Sequence, residues 1–251
     1  MRYIDMGRIS LPNLHATEEA IAKSKVPTLM LWIAHPDTIN LGYFQSVSKE
    51  VDIKEAKRLG LTITRRPSGG GAALFDDKEL YYSIVAGWDS GILPKDAKAC
   101  FKKAADGIIF ALKHFGIEGK FAGKNDVQVN GRKISGNAQT NKEQSKIQHG
   151  TFLVDFDIEV AGRVLKIPIE KVEDKGINVR TMPGMISERI TTLNRELNRK
   201  VPKEEAKDAL RGGFEKALGV NLTSGELTES EKAMIEKLVL KYEDQKWIYK
   251  R

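Results

Sequence analysis

One stretch of the chain has the composition of an anion-binding loop. Residues 65–73 read RRPSGGGAA, in which two arginines directly precede three successive glycines. Because each glycine costs backbone entropy on folding, the triplet indicates a place where main-chain N–H groups approach a ligand closely. The guanidinium groups of Arg65 and Arg66 can hold an anion through paired hydrogen bonds. The segment is neither a Walker A motif nor a Rossmann fingerprint, and we favour an anion site of another kind over a flexible turn.

A second stretch predicts a carboxylate close to an ammonium group. Asn130-Gly131 lies between two short strand-like runs, which is a strong signal for a two-residue hairpin turn. The register that this turn implies pairs Val129 with Arg132, Gln128 with Lys133, Val127 with Ile134 and Asp126 with Ser135. One face would then carry Asp126 and Lys133 together, either as a weak solvated ion pair or as part of a ligand site. Small residues at 135–138 leave room for a ligand, and both interpretations stay open.

The composition limits the chemistry further. Cys100 is the only cysteine among the 251 residues, which excludes an internal disulfide framework and a zinc site built from several cysteines. It falls in an amphipathic helix predicted over Pro94–Phe115, where we expect a buried thiol. The net charge of +7 is spread along the chain, and we expect no nucleic-acid partner. No apolar run reaches the roughly 20 residues of a membrane helix and no signal-peptide core is present, so we expect no membrane partner and a cytoplasmic location.

The order of predicted elements indicates an α/β (α+β) fold with mixed, largely antiparallel sheets flanked by helices. Strands are predicted near 29–33, 38–43, 61–65, 80–86 and 147–154, and helices over 52–60, 94–115, 202–219 and 228–242. The segment 157–190 has no clear pattern. Because no shift in composition marks a boundary, we expect a single domain over residues 1–251 with a helical C-terminal segment at about 190–251.

Together these stretches resemble the lipoate–protein ligase A family of the biotin/lipoate protein ligase superfamily. The matching segments are 65–73, 76, 82–83, 125–127, 131–136 and 149–151, followed by a Leu-Thr-x-x-Glu region, 241–242 and 247. The resemblance implies the catalytic-domain fold of that family. It also implies that ATP and lipoate (or octanoate) form an acyl-adenylate, whose acyl group then passes to a lysine of a lipoyl domain. The chain resembles the bipartite type, which lacks the C-terminal accessory domain.

The resemblance also implies roles for individual residues. Lys133 would be catalytic, lying between the acyl carboxylate and the α-phosphate and stabilising the charge that develops there. The residues implied to bind ATP or the adenylate are Arg66, Gly70, Gly71, Ala72, Ala73, Leu74, Asn125, Asp126 and Lys133. Those implied to bind lipoate are Arg65, Ser68, Gly69, Lys133, Gly136 and His149, of which His149 fits a core position equally well. The implied cofactors are ATP and Mg²⁺, with Asp126 as a ligand of the metal.

The implied partners follow from the same reaction. The acceptors would be lipoyl-domain proteins, namely the E2 subunits of 2-oxoacid dehydrogenases and the H protein of glycine cleavage. A small accessory ligase subunit, supplied as a separate chain, is a further expected partner.

Two residues depart from the ligase pattern. Phe75 stands where that family often has His, and Glu79 where it often has Asn. Residues 79–83 (ELYYS) are closer to the related octanoyltransferases, which form a thioester on a cysteine and need no ATP. Because Cys100 lies far from the segment 125–133 where that cysteine is expected, we expect an ATP-dependent ligase. An octanoyl or lipoyl acyltransferase of the same fold is the alternative, and a non-catalytic lipoyl-domain-binding module is the third hypothesis.

Overall fold

The computed structural model describes residues 1–166 and 182–251, and two sheets organise them. The strands are β1 (Arg2–Ile9), β2 (Thr28–Ala34), β3 (Thr38–Leu41), β4 (Thr62–Arg65), β5 (Ala73–Phe75), β6 (Leu80–Gly87), β7 (Lys120–Ala122), β8 (Asp126–Val129), β9 (Arg132–Lys142), β10 (Ser145–Phe152) and β11 (Thr223–Ser224). The large sheet has eight strands in the order β11-β1-β2-β6-β10-β9-β8-β7, and the small sheet has the order β4-β3-β5. Strand β1 runs parallel to β2 and β11, and β3 runs parallel to β4; every other pair is antiparallel.

Helices cover both sheets. Their bounds are α1 (Leu11–Ser24), α2 (Val47–Glu50), α3 (Ile53–Arg58), α4 (Ala97–His114), α5 (Ile158–Val164), α6 (Met182–Arg189), α7 (Leu193–Leu197), α8 (Lys203–Leu218), α9 (Glu229–Glu243) and α10 (Gln245–Ile248). Side chains cap two of these starts. The Asp52 side chain accepts from the N–H of Glu55, and Thr228 and Glu231 cap each other's backbone in a capping box. Along the described residues, no helix is long and apolar enough to cross a bilayer.

Both faces of strand β2 are buried, because the strand lies between two hydrophobic cores. Leu29 and Leu31 pack into the core that contains α4 and α8, whereas Met30 and Trp32 pack into a second core under α1. Neighbouring side chains on a strand point to opposite faces, so a strand covered on both sides reads as a continuous apolar run. A third core joins the small sheet to α3 and α5.

The structure confirms the predicted fold class, a mixed α/β fold with largely antiparallel sheets, and it contains the predicted strands and helices to within a few residues. Strand β1 and helix α1 were not predicted. The expectation of a single domain stays a prediction. Of the segment 157–190 that had no clear pattern, residues 167–181 lie outside the described ranges.

The beginning of the chain is tied to residues more than 200 positions later. Strand β11 pairs with β1 through Arg2 and Tyr3. The Arg2 guanidinium donates two hydrogen bonds of 2.8 Å each to the carboxylate of Glu231, whose side chain is 1% exposed. A buried bidentate pair of this kind fixes orientation as well as position. It holds α9 against the edge of the large sheet.

Helices α4 and α8 approach closely because glycines face each other where they cross. A Cβ atom on Gly107 would collide with the ring of Phe214, and one on Gly213 would collide with the carbonyl oxygen of Gly107. Gly212 is also in α8 but points to open space. The two buried glycines are therefore required by packing, and the exposed one is not.

We expect Gly107→Ala to destabilise the protein by about 1–3 kcal/mol, since the added methyl must displace a buried aromatic ring. The matched variant Gly212→Ala should stabilise it by about 0.5–1 kcal/mol, because alanine loses less backbone entropy in a helix. Urea titration followed by circular dichroism measures both differences. Equal free energies of unfolding for the two variants would contradict this account of the helix crossing.

Candidate active site

A cleft of about 390 Å³ lies between the small sheet and the β9–β10 part of the large sheet. The glycine-rich loop between β4 and β5 forms one wall, and the ends of β9 and β10 form the opposite wall. Helix α1 contributes Leu14 and His15, and Trp32 of β2 lies beside them. A cavity of this size is in the range of small-molecule sites, and its apolar side chains suit an aliphatic ligand.

The Arg66 side chain holds the glycine-rich loop in shape. Its guanidinium donates to the backbone carbonyls of Asn40 (2.9 Å), Gly69 (2.9 and 3.2 Å) and Gly71 (2.7 Å). Burial lowers the pKa of Arg66 to about 10, which leaves it charged at neutral pH. The charge therefore faces oxygen atoms of the loop itself, and the loop folds around the arginine.

Arg65 is fixed in the same manner but on the other side of the strand. It is 0% exposed and donates to the carbonyls of Gly42, Tyr43 and Gln45 at 2.7–3.1 Å. It also donates to Ile248 of α10 at 2.9 Å. Gly42 is needed here, because a Cβ atom at that position would collide with the carbonyl oxygen of Gly70. The C-terminal helix and the loop are thus joined through one buried side chain.

The opposite wall carries the ion pair that the hairpin predicted. Lys133 Nζ lies 2.9 Å from Asp126 Oδ1, and both side chains are about one-third exposed. The predicted register is correct for Gln128 with Lys133 but wrong beyond it. A bulge after Lys133 leaves Ile134 unpaired, so that Val127 faces Ser135 and Asp126 faces Gly136. Ser135 therefore does not share a face with Asp126 and Lys133 as predicted, and it is fully buried.

Gly136 makes the ion pair possible. The Lys133 side chain folds back over it, and a Cβ atom at position 136 would collide with Lys133 Cε and Nζ. Asn125, just before β8, and Asn137, just after Gly136, exchange side-chain-to-backbone hydrogen bonds, one of them 2.9 Å long. The bulge and these asparagines together aim the ammonium group of Lys133 into the cleft.

A buried chain of polar groups lies behind the cleft. His149 Nδ1 is 2.8 Å from Glu18 Oε1, and His149 Nε2 is 2.7 Å from the hydroxyl of Ser68 on the glycine-rich loop. His15 lies 3.2 Å from the other oxygen of Glu18. Burial alone would raise the pKa of Glu18, but the charge and hydrogen bonds of His149 and His15 outweigh it and hold that pKa well below its usual range. Glu18 is therefore an ionised carboxylate in the core.

The order Ser68–His149–Glu18 is that of a serine hydrolase triad, but the access differs. Ser68 is 1% exposed and is not one of the residues that line the cleft. A nucleophile has to reach the substrate carbonyl. The contact of Ser68 with His149 therefore anchors the loop to β10 and to α1.

The structure brings most of the predicted site residues together. The cleft is lined by Arg66, Gly70, Gly71, Ala72, Ala73, Leu74, Asn125, Lys133, Gly136 and His149. Asp126 reaches it through its ion pair with Lys133. Arg65, Ser68 and Gly69 do not line it, because Arg65 points toward α10 and Ser68 lies behind His149.

Sequence reasoning missed Glu18, His15 and Asn137 as parts of the site. Glu18 and His15 lie on α1, whose start is marked by Pro12 just after Ser10. That signal would have placed the helix, but only the tertiary fold brings Glu18 to His149. Glu79 was noted as a departure from the ligase pattern, and it too lines the cleft.

With this geometry in place, the comparison with known proteins gives the class. Residues 12–215 match the family model for the lipoyl protein ligase A/B catalytic domain. The chain belongs to this family. A bi-partite lipoate protein ligase from Thermoplasma acidophilum, described with its E2 lipoyl domain, has a TM-score of 0.85 and 26% identity, covering 99% of this chain and 95% of that one. A lipoate–protein ligase A bound with ATP has the same TM-score at 24% identity, covering 99% and 98%, and shows the shared fold.

The curated relatives point to a particular activity within the class. The octanoyltransferase LipM of Geobacillus kaustophilus is 33% identical over 100% of this chain and 98% of its own length. The octanoyltransferase LipM of Symbiobacterium thermophilum is 31% identical over 98% and 97%, and that of Bacillus subtilis is 27% identical over 100% and 98%. These relatives match the chain from end to end.

These relatives overturn the expectation of an ATP-dependent ligase. Proteins that match over the whole chain are octanoyltransferases, and the expected ATP and Mg²⁺ are therefore wrong as cofactors. In residues 1–166 and 182–251, no group of three His, Cys, Asp or Glu side chains comes together to hold a metal ion.

Cys100 is placed as predicted, in the core and away from the cleft. It lies in α4, is 0% exposed, and its thiol is 3.7 Å from Gln148 Oε1. Burial raises the pKa of the Cys100 thiol to about 11, so the reactive thiolate is scarce at neutral pH. This chain therefore has no cysteine that could act as a nucleophile in the cleft.

We expect Gly136→Ala to displace the Lys133 side chain while leaving the fold intact, because the added methyl meets only the flexible end of a lysine and an aspartate. Without its ion pair, the Lys133 amine should react faster with an amine-specific reagent, as measured by peptide mass spectrometry. Asp126→Asn should give the same increase through loss of the partner. Gly69→Ala is the control, since its methyl would meet only Phe44 at 4.0 Å. Unchanged labelling of Lys133 in Gly136→Ala would contradict the fold-back over the glycine.

Proposed function

We propose that this protein transfers an octanoyl group from a thioester donor to the ε-amino group of a lysine on a lipoyl domain, without ATP. The reaction class comes from the curated octanoyltransferases that match the whole chain. The acceptor comes from the Thermoplasma acidophilum ligase, which is described together with an E2 lipoyl domain. We thus adopt the acyltransferase hypothesis that residues 79–83 suggested.

The observation that carries the proposal is the position of Lys133. Its ammonium lies on the cleft wall, held by Asp126 and by the space above Gly136. When an amine attacks a thioester carbonyl, negative charge develops on the carbonyl oxygen. A cation fixed in advance at that point stabilises the transition state more than the ground state. Lys133 is therefore assigned to the carbonyl, and the apolar cleft to the acyl chain.

The absence of a cysteine in the cleft favours direct transfer. In a direct reaction the lysine nitrogen of the acceptor bonds to the carbonyl carbon, the carbon–sulfur bond breaks, and the donor leaves as a thiol. No covalent acyl-enzyme forms on the way. The enzyme contributes position and charge, which alone can supply a large share of the acceleration of such a reaction.

The other expected partners stay predictions. The H protein of glycine cleavage is a second acceptor that the resemblance implies. An accessory subunit was expected to help form an adenylate, and a transferase that uses a ready-made thioester has no adenylation step for it to serve.

The proposed activity is tested with an octanoyl thioester and an isolated lipoyl domain, with no nucleotide added. We expect the acceptor lysine to gain an octanoyl group, as detected by intact-protein mass spectrometry. Lys133→Ala should lower the rate by about 100-fold or more, because one preorganised charge at an oxyanion is worth that much. Cys100→Ser should leave the rate unchanged. Transfer that requires ATP, or that survives in Lys133→Ala, would refute the proposal.

Direct transfer predicts that the enzyme itself is never acylated. Incubation with the octanoyl thioester in the absence of acceptor, followed by acid quenching and peptide mass spectrometry, should show no octanoyl ester or thioester. Ser68→Ala is the informative variant, since it removes the hydroxyl next to His149. We expect it to affect loop stability while transfer persists. An octanoyl group found on Ser68 or Cys100 would replace direct transfer with a covalent mechanism.

A further inference from the structure

Glu79 is a buried carboxyl group with an oxygen that none of the described residues satisfies. It stands just before β6, is 1% exposed, and lines the cleft. Within residues 1–166 and 182–251, its Oε2 atom has no hydrogen-bond partner. An unpartnered buried carboxyl oxygen is costly, and such groups are concentrated at functional sites. A ligand in the cleft would supply the missing partner of Glu79 Oε2.

The surroundings of Glu79 favour its protonated form. Burial, and after it the charge of Asp76, raises the pKa of Glu79 well above its usual value, with the Tyr81 hydroxyl and the Lys133 ammonium acting in the opposite direction. Asp76 cannot take over the role of Glu79, because its oxygens accept from the backbone N–H groups of Lys78 and Asp157. A protonated carboxyl group at this position would offer both a proton and an acceptor oxygen to the cleft.

Three other ionisable side chains at or behind the cleft are already paired, although His15 Nε2, Asn40 Oδ1 and Arg189 Nη2, which also belong to cleft residues, have no hydrogen-bond partner in the described ranges. Asp126 is paired with Lys133. Both ring nitrogens of His149 are in contact with side chains, and Glu18 is enclosed between two histidines and a serine. Of the buried carboxyl oxygens in the described ranges, Oε2 of Glu79 is the one in the cleft with neither a hydrogen bond nor an ion pair.

We propose that Glu79 is the proton shuttle of the transfer, giving its proton to the departing sulfur and taking one from the attacking nitrogen. This inference rests on the proposed function. Aminolysis of a thioester to an amide and a free thiol involves both proton movements, since the departing sulfur gains a proton and the attacking nitrogen must lose one. A single carboxyl group beside the carbonyl can serve both sides of the tetrahedral intermediate.

The proposed step needs no reactant other than the thioester donor and the acceptor amine. The neutral amine of the acceptor adds to the carbonyl carbon, and the oxyanion that forms faces Lys133. The carbon–sulfur bond breaks as the Glu79 proton passes to sulfur, which gives the free thiol. The Glu79 carboxylate then takes the proton from nitrogen, which leaves the neutral amide and restores the carboxylic acid. No electron leaves or enters the system.

The experiment compares two donors that differ in how much the leaving group needs a proton. An alkyl octanoyl thioester releases a basic thiolate, whereas an aryl octanoyl thioester releases a weakly basic one. We expect Glu79→Gln to lower the rate by about 100-fold with the alkyl donor, in line with typical general acid–base contributions, and only a few-fold with the aryl donor. Glu118→Gln, a change of the same type at an exposed position, should match the wild type with both donors.

Equal losses with the two donors, or no loss with either, would overturn the role of Glu79 while leaving the proposed transfer intact. Inactivity of the wild type with both donors would instead overturn the proposed function. If Glu79→Gln does not fold, Glu79→Asp takes its place, because a withdrawn carboxyl should give the same selective loss with the alkyl donor. Thermal unfolding of each variant identifies that case.

Discussion

The shape of the site depends on two adjacent arginines buried among backbone carbonyls. Arg65 and Arg66 point to opposite sides of one strand, and their guanidinium groups each gather carbonyl oxygens from segments distant in sequence. A guanidinium can donate in several directions within one plane, which lysine cannot do. A buried charge must be compensated, so the carbonyls have to converge on it. Loop, small sheet and C-terminal helix are consequently fixed by a single dipeptide.

The sequence was sufficient for the parts of the site that depend on local rules. The Asn130-Gly131 turn correctly paired Gln128 with Lys133 and brought Asp126 near the ammonium. It could not reveal the bulge, because the extra residue is accommodated by packing across β8 and β9 and not by the turn. The glycine-rich segment lines the cleft, and its anion site stays a prediction. The expected partner of its two arginines was an anion, whereas their guanidinium groups bind backbone carbonyls. Every residue has a backbone carbonyl, so the sequence does not show which carbonyls accept hydrogen bonds from an arginine.

The polar groups on α1 illustrate a second limit. A glutamate in a helix is usually exposed, yet Glu18 of α1 is fully buried between His15 and His149. One of these neighbours, His149, is 131 residues away in the sequence. The choice between ligase and transferase was limited in a related way, since both activities share one fold and the position of Cys100 favoured the ligase. Relatives that match over the whole chain were needed to decide it.

The long-range ties also constrain when the protein becomes functional during synthesis. Strand β1 is translated first, but its partner β11 and the Glu231 carboxylate that holds Arg2 are made more than 200 residues later. The loop that forms a wall of the cleft waits still longer, because Arg65 needs the carbonyl of Ile248. Contacts of such sequence separation form late and slowly. On the ribosome, the nascent chain therefore remains without a finished cleft until residue 248 has left the exit tunnel.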